Sequence, residues 1–412
     1  MYDAIVVGAR CGGASTAMLL ARKGYRILLV DRSTFPSDIV RLHFVRPPGV
    51  ARLKRWGLLD RVAATGCPAI RKLTIDMGDF PLVGIPSPIE DVCEHYGPRR
   101  TVLDTILVEA AVEAGVELRT GFSVQELLWD GERVVGIRGQ AQGGGVVSER
   151  ARVVVGADGM HSIVARGVDA PVYNAHPTLA CYYYSYWADL PMEGLEVYRR
   201  DHQLILTFPT NDGLTCVCVA WQHSAFHEVR SDIEAKFFET IDLVPEFAER
   251  VRAGQRMEPF RGTGDLPNFF RRPFGPGWAL VGDAGYHKDP YLAFGISDAF
   301  LCADLLAEAL DAGFSGHRPI EEAEADYERL RNETVIPLYQ LNLQLARLEQ
   351  STPEQVALRA ALRGNDEDTS RFLGVTSGTV PLPEFFAPDN LRRIMTAAHA
   401  RASSAPVAAT SA

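Results

Sequence analysis

The chain predicts an α/β fold: a Rossmann-like dinucleotide-binding domain with an inserted antiparallel β-sheet domain and a C-terminal helical region. Three observations predict it. Residues Ala4 to Arg32 read AIVVGARCGGASTAMLLARKGYRILLVDR, a strand, a glycine-rich turn, a helix and a second strand ending on an acid. Two later apolar runs, Val153-Val154-Val155 and Ala279-Leu280-Val281, also read as buried strands, and they end near Asp158-Gly159 and Gly282-Asp283. Between them, from about Val172 to Phe260, apolar and polar residues alternate as antiparallel strands do.

In the opening unit, Ala4-Ile5-Val6-Val7 is a continuous apolar run, as a parallel strand covered on both faces requires. Good helix formers fill Ala14 to Lys23, with Ala17, Met18, Leu20 and Ala21 apolar, and Gly24 ends the helix. The second strand, Arg26 to Val30, delivers Asp31 about twenty positions past the turn, the arrangement that binds the ADP half of a dinucleotide. The turn lets the backbone approach a pyrophosphate, the helix N-terminus aims N–H groups at it, and the acid takes the ribose hydroxyls. Against G-x-G-x-x-G the chain offers Gly8, Arg10 and Gly13, with Gly12 added. An arginine there crowds the phosphates or pairs with them, and the expectation is that Arg10 faces the pyrophosphate as a counter-charge.

The 412 residues suffice for one large domain or two intertwined ones, and 47% hydrophobic residues suit a globular chain. A net charge of −10 argues against nucleic acid or an anionic membrane as the main partner. No apolar run reaches membrane-spanning length, and a strand begins directly after Met1-Tyr2-Asp3, so membrane insertion and a signal peptide are not expected and a cytoplasmic location is. Seven cysteines form no C-x-x-C pair and none has a His at ligand spacing. Reduced, mostly buried thiols and no metal are expected, with Cys216 and Cys218 as small core residues on one strand face.

Farther along, Pro36, Pro47 and Pro48 break regular structure before a helix from about Gly49 to Trp56, in a stretch that carries Arg41 and His43. Cys67 to His95 is strand-like but interrupted by Gly78, Gly84, Pro86 and Pro88. A helix from Arg100 to about Ala114 buries Leu103, Leu107 and Ala111, and Gly115 caps it. Val116 to Leu118 reads as a parallel strand, and Ser123 to Leu128 and Arg133 to Arg138 as an antiparallel pair turning at Asp130-Gly131. The glycine cluster of Gly139 to Val147 precedes no helix and reads as a hairpin loop. Ser162 begins a helix after Asp158-Gly159. The alternating region is rich in Tyr182, Tyr183, Tyr184, Tyr186, Trp187, Tyr198, Phe208 and Trp221, which form either a platform for a flat or apolar ligand or a sheet core. Gly295-Ile296-Ser297-Asp298 starts a helix to about Ala312, and further helices follow over Ile320 to Leu348 (kinked at Pro337), Pro353 to Leu362 and Asn390 to Ala400. The expected domains are 1–70 with 97–171 and 262–345 for the dinucleotide, 71–96 with 172–261 for the inserted sheet, 346–400 for the C-terminal helices, and 401–412 as a disordered tail.

The Gly8 turn, Asp158-Gly159, and Gly282-Asp283 with Pro290 and Gly295 beyond it resemble, in order and separation, the FAD-dependent monooxygenase superfamily of the para-hydroxybenzoate hydroxylase type. That superfamily includes geranylgeranyl-reductase-like and flavin-halogenase branches, and the resemblance covers about residues 1–345. It implies an FAD-binding domain and a substrate-binding inserted sheet. Gly8, Gly12, Gly13 and Asp31 would hold the ADP half, with Arg32 beside the adenosine. Arg100 would reach the flavin chain and Val124 line the adenine. Asp158 with Gly159 would lie near the pyrophosphate, and Gly282 with Asp283 at the ribityl or pyrophosphate. Pro290 would stand near the ring, and the N–H groups of Gly295 and Ile296, at a helix N-terminus, would stabilise the negative N1–C2=O edge of reduced flavin.

The chain departs from the superfamily where Ala284-Gly285-Tyr286 follows Asp283 without the usual His, and where Phe294 replaces a polar residue. The halogenase tryptophans are replaced by leucines in Leu204-Ile205-Leu206-Thr207-Phe208-Pro209, so halogenation is not expected. The resemblance implies a monooxygenase that hydroxylates an aromatic or polyketide-like small molecule through a flavin hydroperoxide, with NAD(P)H as electron donor and O₂ as co-substrate. The alternative is an FAD-dependent reductase or dehydrogenase of an isoprenoid or other apolar substrate, which Phe208-Pro209 echoes. Candidate catalytic residues are His43, Arg41 and His287; Tyr184, His202, Phe208 and Trp221 are candidates for the substrate side. Lys288 and Asp289 are expected to pair with each other or with solvent.

Overall fold

In the computed structural model, which describes residues 1–37 and 42–404, the apolar runs form the strands they imply. β1 (Tyr2–Val7) leads into α1 (Cys11–Arg22) and the wholly buried β2 (Ile27–Val30). The helix begins earlier than its helix formers suggest, so Gly12 and Gly13 lie in its first turn rather than in the loop. Pro47 and Pro48 open the next helix, Pro47–Arg55, instead of breaking structure before it, because the first helical positions have no intrahelical use for an N–H. β3 (Lys72–Asp76) and β4 (Pro81–Gly84) follow, then α2 (Arg100–Glu113), β5 (Glu117–Arg119) and the meander β6 (Phe122–Asp130), β7 (Arg133–Ala141) and β8 (Val146–Gly156). β8 is antiparallel to β7 at its start and parallel to β1 at its end, so Gly139 belongs to a strand and the hairpin loop shrinks to 142–145. Next come β9 (Ala180–Ala188), β10 (Gly194–Arg200), β11 (Gln203–Pro209) and β12 (Thr215–Gln222), and later β13 (Trp278–Leu280), α3 (Gly295–Phe314) and α4 (Ile320–Ala346).

The first sheet runs β13-β8-β1-β2-β5, all parallel, with Phe274–Gly275 antiparallel at its edge. Ala4 and Val6 pack on one side with Ala14, Ala17 and Met18 of α1 and Phe300 of α3; Ile5 and Val7 pack on the other with Phe122 and Val154. Each Val, Ile, Met or Phe side chain among these contributes about 1.5–3 kcal/mol when fully buried, which fixes the sheet between its two layers. The carboxyl ends of β1, β8 and β13 therefore lie side by side, where ligands of open α/β sheets bind.

The second sheet has the order β9-β12-β11-β10-β3-β4, with Gln255–Arg256 beyond β9. It is mixed rather than antiparallel throughout, because β3 pairs parallel to β10 across a long crossover. Val172–His176 leaves this sheet for a separate three-stranded one with Asn268–Arg271 and Tyr286–His287. Period-two alternation sends Tyr182, Tyr184, Tyr186, Cys216 and Cys218 to one face of the second sheet and Cys181, Tyr183, Trp187 and Trp221 to the other.

α4 runs unbroken through Pro337. The C-terminal region also holds an unanticipated helix, Asp366–Ser377, whose N-terminus Asn365 caps by accepting from Asp368 N at 3.1 Å and whose end is the left-handed Gly378, φ 77°. Its polar composition hides it from an apolar-periodicity reading. The last helix, Pro388–Ser404, continues past the point at which a tail was expected, and 405–412 lie outside the described residues. Among the described residues no helix is long and apolar enough to cross a membrane.

Candidate active site

The three strand ends open on a cavity of about 940 Å³ that extends to Tyr182 and Tyr184 of the second sheet. Gly8, Arg10, Gly12, Asp31, Arg32, Arg100, Val124, Asp158, Gly159, Gly282, Asp283, Pro290, Gly295 and Ile296 all line it. Gly13 does not. A Cβ there would sit 1.7 Å from the Gly8 carbonyl oxygen, so Gly13 lets α1 close onto β1 and serves packing.

Gly8 turns the chain at φ 104°, and its own Cβ would lie 2.4 Å from the Ala157 carbonyl oxygen. Its N–H donates to Val30 O at 2.8 Å. Asp31 stitches the turn to β2, its Oδ2 accepting from Ala9 N at 2.8 Å and its Oδ1 from Ser33 N at 2.7 Å. A carboxylate has about four acceptor positions, so Asp31 keeps capacity for ribose hydroxyls.

These residues fit FAD. A Cβ on Gly12 would meet nothing closer than 3.6 Å, and on Gly295 nothing within 4 Å, so at these two cavity-facing positions glycine leaves room for a ligand, not for protein, while Gly159 is called for by its φ of 84°. Neither α1 nor α3 has a side-chain cap at its N-terminus, so no side chain competes with an anionic ligand for the first-turn N–H groups.

Arg10 lines the cavity and is held there by partners from the protein. Nη1 donates to Asp104 Oδ2 at 2.6 Å, Nη2 donates to Ser37 Oγ at 2.7 Å, and the guanidinium lies 5.5 Å over the Phe35 ring. Buried Asp104 also accepts from Arg100 Nη2 at 2.8 Å. Two guanidinium groups thus share one carboxylate, and Arg10 is a member of a net-positive cluster in the wall rather than a lone counter-charge. Burial opposes the charge on Arg100, but Asp104 outweighs it and, with a contribution from Asp283, holds the guanidinium ionised.

Asp158 is also tied to the helix that follows it, Ile163–Gly167, where Oδ1 accepts from Ser162 Oγ at 2.5 Å and Oδ2 from Ile163 N at 2.6 Å. Burial raises its carboxyl above the ordinary value.

The catalytic and substrate candidates separate. Arg41 lies outside the described residues. His43 is corrected: its neighbours Leu42 and Phe44 reach the cavity, but its own ring turns into the core, with Nδ1 3.0 Å from Gly97 O and Nε2 2.7 Å from the Tyr186 hydroxyl. Burial, helped by Arg99, pushes this imidazole down to about 4. His287 lines the cavity with Nδ1 2.5 Å from Pro267 O, and Tyr184 lines it as well.

Three substrate candidates do not reach the cavity. His202 occupies the β10–β11 turn at φ 65°, with Nδ1 2.8 Å from Leu348 O. Phe208 is fully buried against His43 and Phe44, ring centroids 5.4 and 4.8 Å away. Trp221 pairs in register with Cys181, which puts it on the outer face, where Nε1 donates to Thr240 Oγ1 at 3.0 Å.

Five further residues stand in the cavity wall: Tyr286 and Asp298, which sequence reasoning did not single out, Tyr182, which it named only among the sheet aromatics, and Lys288 and Asp289, which it named only as groups beside Pro290 that pair with each other or with solvent. Lys288 and Asp289 do not pair with each other: Lys288 Nζ lies 2.7 Å from Asp298 Oδ2, and Asp289 Oδ1 accepts from the Tyr182 hydroxyl at 2.5 Å. The parity shared by Tyr182 and Tyr184 was a usable signal for the first. The placement of Asp289 before Pro290, where it caps a short turn, was one for the second.

The family model described as FAD binding domain matches residues 1–321. A digeranylgeranylglycerophospholipid reductase of Methanosarcina acetivorans is 26% identical over 350 residues, covering 81% of each chain. A 6-methylpretetramide 4-monooxygenase of Streptomyces rimosus is 27% identical over 331 residues, covering 75% of this chain and 76% of that protein. The solved structure of a myxobacterial chondrochloren halogenase, a variant of FAD-dependent halogenases, matches with a TM-score of 0.78 at 23% identity over 96% of each chain, a likeness of fold.

Proposed function

This chain belongs to the FAD-binding-domain family and is an FAD-dependent oxidoreductase, and from that premise we propose that it is a monooxygenase hydroxylating an aromatic or polyketide-like small molecule, with NAD(P)H as electron donor. The observation that carries this reading is the continuity of one cavity from the glycine-lined strand ends to the inner face of the second sheet at Tyr182 and Tyr184. Flat rings stack favourably on such side chains, and Leu42, Phe44, Leu266 and Ala293 add apolar wall that excludes water. The relative named as a monooxygenase supports the same choice.

Bound FAD would supply the redox chemistry and the activation of oxygen. The chain's own groups divide the remaining work. Gly8, Gly12 and Asp31 would hold the dinucleotide end, and the Arg10–Asp104–Arg100 cluster would add positive charge beside it. The α3 N-terminus at Gly295 and Ile296 opens on the cavity, and its positive dipole end would stabilise the anionic edge of a reduced flavin bound there. Tyr184 and His287 line the cavity and would border a substrate there.

A second reading, reduction of an isoprenoid double bond, is supported by the reductase relative. Anaerobic mixing of the purified yellow protein with NADPH or NADH, followed by oxygen and a set of phenols, tests both readings. Faster flavin bleaching with a phenol present and a product carrying one added oxygen by mass spectrometry are expected. Colourless protein that takes up no FAD overturns both. Saturation of an isoprenoid without oxygen uptake replaces the first reading by the second.

A further inference from the structure

Asp298 is an acid in the first turn of α3, the helix whose N-terminus at Gly295 and Ile296 opens on the cavity. A carboxylate there favours the helix, but its negative charge also subtracts from the positive potential that the helix end offers to an anion in the cavity. Lys288 brings a positive charge to the same turn. Its Nζ lies 2.7 Å from Asp298 Oδ2 and 5.0 Å from the ring of Phe294, the residue just before the helix.

Packing does not explain this pair. The Lys288 side chain is 4% exposed and that of Asp298 13%, and burying two such charges is costly unless directed hydrogen bonds offset the lost solvation. Neither Lys288 Nζ nor Asp298 Oδ2 has a hydrogen-bond partner among the described residues, so the 2.7 Å approach is a contact of charges whose angles form no hydrogen bond. The N–H donors of the ammonium are therefore uncommitted. The rings of Phe294 and of Tyr286, 5.4 Å away, hold a cation in place without accepting those donors along the usual lone-pair directions. Lys288 and Asp298 both line the cavity, so the unspent donors are left to an acceptor bound there.

We propose that Lys288 and Asp298 form an opposed charge pair that sets how readily the bound flavin is reduced, the Lys288 ammonium being the group that meets the negative charge. This rests on the FAD site and not on the hydroxylase reading. A hydride equivalent from the electron donor, two electrons and one proton, leaves the flavin ring with one negative charge. The ammonium gains little from a neutral ring and a charge-assisted hydrogen bond from an anionic one, in a wall where water does not screen it. Asp298 acts in the other direction, by repulsion and by holding part of the lysine's charge. The α3 N-terminus alone would favour the anion, Asp298 takes part of that preference away, and Lys288 returns it.

The test equilibrates the FAD-loaded full chain with a reference dye under anaerobic dithionite titration and reads the ratio of reduced to oxidised flavin at a fixed dye potential. Lys288→Met should lower that ratio about 10-fold, and Asp298→Asn, which keeps the shape and removes the opposing charge, should raise it about 10-fold, each about 30 mV for two electrons. Lys288→Arg should bring the ratio back toward wild type. Thermal melts of the same proteins separate a structural role, which lowers stability in both single variants without moving the two ratios in opposite directions. An unchanged ratio in Lys288→Met and Asp298→Asn, or shifts of the same sign, overturns the proposal. If Lys288→Met does not retain FAD, Asp298→Asn decides alone: a raised ratio supports the pair, and an unchanged or lowered one overturns it. Opposite shifts with no oxygenated product from any phenol leave the charge pair standing and remove the hydroxylase reading.

Discussion

Gly12 and Gly13 adjoin in the first turn of α1, and alanine at each should damage different properties. At Gly13 the new Cβ would stand 1.7 Å from the Gly8 carbonyl oxygen and 2.9 Å from Ala157 Cβ, so the helix must back away from β1. Overpacking of this kind costs about 1–3 kcal/mol and occasionally more, and an overlap with backbone belongs at the upper end of that range. At Gly12 the nearest atom is 3.6 Å away, an ordinary contact, and alanine gains up to about 1 kcal/mol of helix propensity. The same methyl enters the cavity where first-turn N–H groups would meet a pyrophosphate. Loss of one charge-assisted hydrogen bond, about 1.5–3 kcal/mol, weakens FAD binding by about 10- to 100-fold. Apoprotein calorimetry and quenching of FAD fluorescence on titration separate the two effects. Gly12→Ala should melt at or above wild type and bind FAD weakly, whereas Gly13→Ala should melt several degrees lower, at about 2–4 °C per kcal/mol for a larger domain. Undiminished FAD affinity in Gly12→Ala would refute a pyrophosphate over this turn, and a wild-type melt for Gly13→Ala would refute the packing account.

Asp104→Asn strips the carboxylate from between Arg10 and Arg100 and should cost about 3–5 kcal/mol in urea unfolding, part of which Arg10→Met restores in the double variant. His43 is neutral in the folded and unfolded chain above about pH 6.5; below that only the unfolded imidazole gains a proton until about pH 4, so stability falls across this window by about 3 kcal/mol. Urea melts at pH 7.5 and 5 should show about 2 kcal/mol of this loss, and His43→Phe should flatten it apart from the share of His95, whose imidazole burial also lowers. Lys288→Met leaves the Asp298 carboxylate unpaired in the cavity wall, and the added negative charge should lower the flavin reduction potential by about 30 mV, roughly 1.4 kcal/mol for two electrons, in a dye-equilibration measurement. An unchanged potential would mean that this pair does not face the flavin.

What was legible in the sequence is what backbone sterics dictate locally. Gly8 must be glycine because its φ is 104° and Ala157 crowds it, and Asp31 is the residue that closes the apolar run of β2, so turn, helix and acid could be read within thirty-two residues. Side-chain placement in the second sheet was not legible in the same way, because it depends on register between strands far apart in the chain. Trp221 and Tyr184 both looked like aromatic platform residues, but Trp221 lies opposite Cys181, and one step of parity separates the cavity face from the helix-covered face. The parallel pairing of β3 with β10 was invisible for the same reason.

Arg10 and Asp289 show how charge adds to the difficulty. A charged side chain drawn by its sequence neighbourhood toward a ligand will instead take a buried partner of opposite charge when the fold brings one within reach, and Asp104 lies ninety-four positions from Arg10. Asp289 has the opposite circumstance: the fold brings it a phenol and a backbone N–H but no direct cationic hydrogen-bond donor, so burial raises its proton affinity instead of being offset. Only the identity of the groups that three-dimensional packing sets beside them makes Asp104 a structural charge shared by two guanidinium groups and leaves Asp289 with its proton affinity raised by burial.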